Sequence, residues 1–177
     1  MNDTLVTIIA IFIAAILMFV FPLMTIADRN DDVCQQALQQ DTVDFVDKVR
    51  NVGSIKQADL TAYKQDIASL GHAFNTNIEV KVQDENVGKK TSWTTSSVIG
   101  ENVYYSVYTE TVEEKVYGAQ GKYPLKEGDI VSVTSVNTDT TIAQSLRNAF
   151  YSITGKGTYQ ISGSHAGVVQ NQGSNLD

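Results

Sequence analysis

The sequence predicts an α+β protein: a single amino-terminal transmembrane helix continuing into a helical hairpin, packed on a mostly antiparallel sheet of about four strands with one further short helix. Three observations predict it. Leu5 to Ala27 form a run of 23 uncharged residues, 20 of them hydrophobic. Apolar residues then recur at three- and four-residue spacing until about residue 72, as one face of a helix requires. From about residue 76 the period changes to two, the signature of half-buried strands.

The first element, residues 1–27, reads as a membrane anchor. As a helix rising ~1.5 Å per residue, the apolar run spans about 35 Å, slightly more than the ~30 Å hydrocarbon core of a bilayer. The rival reading is a cleaved secretory signal, with Thr25-Ile26-Ala27 as a small-x-small cleavage site before Asp28. The preceding MNDT has no Lys or Arg, and the run exceeds the usual 7–15 apolar residues of a signal, so retention is favoured. Arg29 and Lys48 follow the span, a count too small to orient it by the positive-inside rule. The Ser-, Thr-, Asn- and Tyr-rich remainder suits an exposed surface, giving the expectation of a single-pass cell-membrane protein with its carboxyl-terminal domain extracellular. Pro22 lacks an N–H and is expected to bend or loosen the helix.

Residues 28–170 form the expected head, helical over 28–72 and mainly strand over 76–170. Cys34, Leu38, Phe45, Val49 and Val52 make the first helical stripe, closed by Gly53; Ser54 is placed to cap a second helix carrying Leu60, Tyr63, Ile67 and Leu70 up to Gly71. An αα-hairpin follows. Ile78, Val80 and Val82 alternate as a strand, and the polar stretch from Asp84 to Glu101, around Trp93, reads as a long loop. Val103, Tyr105 and Val107 alternate with Tyr104, Ser106 and Tyr108 in the next strand, and Val131, Val133 and Ser135 in another. Thr141 is placed to cap a short helix with Ile142, Leu146 and Phe150, and a last strand runs through Tyr159 and Ile161 towards Val169. Residues 171–177 should fray.

Composition excludes several classes. With 13 Lys+Arg against 20 Asp+Glu and a net charge of −7, there is no basic footprint for nucleic acid and no polybasic patch for anionic lipid. One cysteine, Cys34, forms no intramolecular disulfide or Cys-based zinc cluster; it reads as a small residue on a packed helix face, with an intermolecular disulfide left open. Asp28, Asn30 and Asp32 match the first positions of a calcium loop, but Val33 stands where Gly is needed, and solvated carboxylates at a membrane exit are the simpler reading. Gly118 to Lys122 and Gly155-Lys156-Gly157-Thr158 lack phosphate-loop spacing and read as turns. Ser164 and His165, adjacent on a strand, point to opposite faces and do not form a nucleophile–base pair. The expectation is a non-enzymatic protein without cofactor or metal.

The arrangement resembles the type IV pilin-like proteins, and more closely the membrane-anchored proteins of tight-adherence (Tad) pilus-like gene clusters in Gram-positive, clostridial-type bacteria. The residues that carry the resemblance are FPLMTIADRND at 21–31, FVDKVRNVGSI at 45–55, DENVGKK at 84–90, NVYYSVYTE at 102–110, LKEGDIVSV at 125–133 and FYSITG at 150–155. It implies helix packing through Leu5, Ile9, Phe12, Ile16, Phe19, Pro22 and Ala27, with Asp3 as the only carboxylate for the pilin charge-pairing role. The chain departs from the pattern in three ways: no basic leader, no Gly at a peptidase cleavage point and no Glu early in the span. The implied partners are membrane lipid and either further copies of the chain or pilus- or secretion-assembly proteins, met through the amino-terminal helix. Trp93, Tyr104, Tyr105 and Tyr108 are the candidate contact surface, tyrosine offering apolar area with a polar tip. The expected role is a structural or accessory, minor pilin-like component of a surface assembly. The alternatives are a membrane-tethered adhesin or sensor head, or a protein secreted after signal cleavage.

Overall fold

The computed structural model describes residues 2–83, 104–151 and 160–173. The order is α1 (Asn2–Val52), β1 (Ser54–Lys56), α2 (Gln57–Ser69), β2 (Phe74–Gln83), β3 (Tyr104–Tyr108), α3 (Thr109–Tyr117), β4 (Lys122–Pro124), β5 (Ile130–Asn137), α4 (Ile142–Tyr151) and β6 (Ser162–Val168). The fold class is α+β, as the sequence predicts. The main sheet has four strands in the order β3-β2-β5-β6, every neighbouring pair antiparallel, and β1 and β4 form a separate antiparallel ribbon. Two short helices follow the hairpin rather than one. The loop expected over 84–101, with Trp93, and the sites of Val103 and Tyr159 lie outside the described residues.

The apolar run and the first head helix are one element. The 51 residues of α1 reach about 77 Å at ~1.5 Å per residue. Beyond residue 30 the helix buries Asp31, Cys34, Leu38, Thr42, Phe45, Val46 and Val49, a stripe at helical spacing. Gly53 ends it in a left-handed turn at φ +71°, its N–H on the Val49 carbonyl at 2.8 Å. Ser54 does not cap α2: it lies in β1 opposite Pro124, and Lys56 holds the cap position with no side-chain bond. The ribbon does that work instead, because the Gln57 N–H donates to the Gly121 carbonyl at 3.0 Å. Helix α2 buries Leu60, Tyr63 and Ile67, and Tyr63 stacks on Phe45 of α1 with ring centroids 4.7 Å apart.

The register aligns one apolar row across the sheet, Val107–Val80–Val131–Gly167. At its β6 end the side chains vanish where α1 crosses. A Cβ on Gly163 would stand 2.9 Å from Leu38 Cγ and Thr42 Oγ1, so glycine there lets the helix approach the strand. The free edge of β6 is closed by side chains of α1. Gln39 donates to the Ser164 carbonyl at 3.0 Å and accepts from the Ser164 N–H at 3.1 Å, while Gln35 makes the same paired contact with Ser162. Arg50 Nε continues the row on the Val168 carbonyl at 2.8 Å. Two glutamines one helical turn apart thus imitate a neighbouring strand and block edge-to-edge pairing.

A chain of buried hydroxyls ties the layers together. Thr42 donates to the Leu38 carbonyl at 2.7 Å, which fixes the direction of the rest: Tyr63 donates to Thr42 (2.9 Å), Ser135 to Tyr63 (2.7 Å) and Thr76 to Ser135 (2.9 Å). One chain thereby connects α1, α2, β5 and β2. Burial pushes the Tyr63 phenol above its ordinary pKa, against the lowering effect of the Ser135 and Thr42 hydrogen bonds. The phenol is therefore a neutral, fully used group. Tyr63→Phe keeps the stacking on Phe45 but strips a partner from both Thr42 and Ser135. The expected loss is about 1–3 kcal/mol in denaturant unfolding of the full chain in detergent, with the ring-stacking signal retained.

Three local structures close the head. Asp129, 2% exposed, accepts from the Lys126 N–H at 2.8 Å and the Gln83 N–H at 3.1 Å, which fixes the turn containing Gly128. Helix α3 buries Val112 and Val116 one turn apart. Residues 171–173, expected to fray, are held in place: Gln170 N–H reaches the Arg50 carbonyl at 3.1 Å, Asn171 Nδ2 the Asn51 carbonyl at 2.6 Å and Gly173 N–H the Leu125 carbonyl at 3.0 Å. Hydrogen bonds to the end of α1 and to Leu125 hold these residues without any apolar side chain to bury.

Candidate functional site

The amino-terminal part of α1 carries apolar side chains round its whole circumference, and among the described residues nothing covers most of them. Leu5 is 60% exposed, Ile9 49%, Phe12 68%, Ile16 46% and Phe19 77%, while Val6, Ile11 and Met18 on other faces are equally bare. A helix apolar all round belongs in lipid or in a bundle of other helices, not in water. It is the one helix among the described residues long and apolar enough to cross a membrane. Helix α1 runs through Pro22 without a break. The Pro22 ring leaves the Met18 carbonyl without its helical donor, and the next turn is braced by Thr25 Oγ1 on the Phe21 carbonyl at 3.0 Å.

At about 100° per residue Leu5, Ile9, Phe12, Ile16 and Phe19 share one face, and Asp3 falls about 160° round the helix from it. The face and the carboxylate named by the pilin resemblance therefore point to different sides of the helix. Asp3 lies in the first turn, where an acid favours the positive end of the helix dipole. Its carbonyl accepts Thr7 Oγ1 at 2.8 Å.

A second face points towards the head. Leu17, Val20, Met24 and Ala27 are half-buried and lead directly into buried Asp31, Cys34 and Leu38. The head therefore begins to cover α1 within the apolar run, about three turns before the first charged residue after it. Helix α4 packs on α1 here. Asp31, between the carboxylates Asp28 and Asp32 that the sequence reading leaves solvated, is itself buried: it is 3% exposed, and Thr141 Oγ1 donates to its Oδ2 at 2.7 Å. Its place on the head-facing stripe puts it under the start of α4. Thr141 in turn accepts from the Gln144 N–H at 3.1 Å, and Gln144 Oε1 accepts from the Thr141 N–H at 3.2 Å, a reciprocal capping box. Cys34 lies beside this junction; burial pushes its thiol pKa up, and Asp31 and Asp139 push it further. It is a packed neutral thiol.

The tyrosines do not make one surface. Tyr108 is 64% and Tyr105 50% exposed, on opposite faces of the edge strand β3, while Tyr104 is half-buried with its hydroxyl 3.5 Å from the Gly128 carbonyl. Tyr105 shares its face of β3 with half-buried Val107. Trp93 lies outside the described residues. His165 faces α1 with Nε2 3.7 Å from Asp47, whereas the Ser164 hydroxyl meets Thr134 at 3.2 Å on the other face. Among the described residues no three His, Cys, Asp or Glu side chains converge on a point where a metal would sit.

No known protein family, curated protein or solved structure matches the chain. Sequence reasoning missed the head-facing stripe at Leu17, Val20 and Met24, the Asp31–Thr141 link and the Gln35 and Gln39 edge cap. The signals existed: the heptad-like spacing from Leu17 to Leu38, and the Thr141-x-x-Gln144 capping-box pattern.

Proposed function

We propose that the chain is a non-enzymatic, single-pass membrane protein that presents an extracellular head on a packing helix, as a structural or accessory, minor pilin-like component of a surface assembly. One observation carries the reading: α1 is a single unbroken helix whose first half is bare and apolar and whose second half is the spine of an antiparallel head. A rigid rod of this kind transmits the position of an anchored end directly to the head, which a flexible tether does not. The half-burial of Met24 and Ala27 supports retention of the rod, because cleavage after Ala27 would cut away part of the surface on which the head rests. The exposed face from Leu5 to Phe19 is the part that meets lipid and neighbouring helices.

Single cysteines at Phe12 and Phe19 test the packing. Native Cys34 is buried and its raised pKa keeps it out of the reaction. Phe12→Cys and Phe19→Cys chains oxidised in native membranes are expected to give crosslinked dimers or adducts to assembly components. A dispersed monomer that yields no crosslink at either site and brings no other protein through gentle solubilisation contradicts the reading.

A further inference from the structure

Strand β2 is longer than its partner on one side. It spans Phe74–Gln83, but β3 pairs only with Glu79 to Gln83, because the chain turns into α3 at Thr109. Phe74 to Ile78 are paired on the β5 side alone. The backbone groups of Phe74, Thr76 and Ile78 point the other way, as the alternation of an antiparallel ladder requires. Those of Ile78 are satisfied: its N–H donates to Thr109 Oγ1 at 2.7 Å and its carbonyl accepts from the same hydroxyl at 3.2 Å. Among the described residues, no hydrogen bond reaches the outward groups of Phe74 or Thr76. In contrast to the β6 edge, which Gln35 and Gln39 close, this edge is open.

The open edge lies in a cleft of about 1000 Å³. Its lining comes from both faces of β2, Thr76 and Ile78 on one and Asn75 and Asn77 on the other, so the cleft wraps the strand edge, and it extends over the sheet to Ser132 and Thr134 of β5. Its walls come from α2 and α3, joined by the Lys64–Glu113 ion pair at 2.6 Å. That pair uses the one lysine in the lining and leaves Glu79 and Glu110 as its surplus charge.

We propose that this cleft binds an extended, basic peptide segment of a partner protein by strand addition to β2. The segment takes the place that β3 leaves empty, exchanging main-chain hydrogen bonds with Phe74 and Thr76. Alternate side chains of the added strand reach the two sides of the edge, and Lys or Arg among them faces Glu79 and Glu110. The inference is independent of the assembly role of α1.

The test uses the full chain in detergent micelles and three fluorescein-labelled six-residue peptides: alternating Lys and Val, alternating Glu and Val, and the Lys–Val peptide with proline at its two central positions. The Lys–Val peptide is expected to bind at least about tenfold more tightly than either of the others, since proline removes ladder donors and glutamate reverses the charge. Saturation with it is expected to slow hydrogen exchange of the Phe74 and Thr76 amides at least about tenfold, with little change at Ile78, whose N–H is already bonded. Glu110→Lys, a substitution at an exposed site, is expected to weaken the Lys–Val peptide at least about threefold. Equal affinity for the three peptides, no binding at millimolar concentration, or protection that spares Phe74 and Thr76 would each overturn the proposal.

Discussion

Replacing Gly53 by alanine is expected to cost about 4–5 kcal/mol of head stability. Two effects add. The φ of +71° is a left-handed conformation that costs an L-residue about 1–2 kcal/mol. The new Cβ would also stand 2.1 Å from the Asn171 carbonyl oxygen and 2.4 Å from the Gly173 nitrogen, both backbone atoms that no rotamer change can move away. The segment 170–173 must then peel from the end of α1, and its hydrogen bonds to Arg50, Asn51 and Leu125 are lost at about 1 kcal/mol each. Gly71 provides the control. Its φ is +84° but no atom lies within 4 Å of an added Cβ, so Gly71→Ala should show the conformational cost alone. Urea unfolding of both variants in detergent separates the two terms; equal losses would mean that the docking of residues 170–173 on Gly53 contributes nothing.

Placing Phe12→Arg and Ile16→Arg together in the apolar run is expected to abolish membrane insertion. Each arginine near the middle of a span costs about 2.5–3.5 kcal/mol on the insertion scale, so the pair costs about 5–7 kcal/mol, beyond what snorkelling recovers. Both side chains are exposed and far from the head core, so the head itself should fold unchanged. The measurement is alkaline extraction of membranes from cells expressing the variant: the wild-type chain stays in the pellet and the double variant moves to the supernatant. A double variant that still pellets with membranes would show that the run is not what holds the chain there.

The parts of the fold that were legible in the sequence are those with a long period. The apolar run and the stripe at Cys34, Leu38, Phe45 and Val49 announce α1, and the alternations at Ile78–Val82 and Val131–Ser135 announce β2 and β5. Helix α3 was not legible because Thr109, Thr111 and Val112 follow YYSVY directly and read as more of the same strand; its helical character comes from burying Val112 and Val116 against the core. The ribbon of β1 and β4 has three residues on each side, too few to show a period. Burial of Asp31 depends on where α4 begins, 110 residues later, which no local pattern reports. The open edge at Phe74 and Thr76 is likewise a matter of topology: it exists because β3 gives way to α3 at Thr109, opposite Ile78.

Loss of insertion in the arginine variant does not by itself separate a retained anchor from a cleaved signal, since both need an apolar run of this kind. Protease shaving of intact cells, with amino-terminal sequencing of the chain recovered from the membrane, does. The account predicts that the head is released by external protease and that the untreated chain begins at Met1 or Asn2. A chain that begins at Asp28, or a head that external protease does not reach, would contradict it.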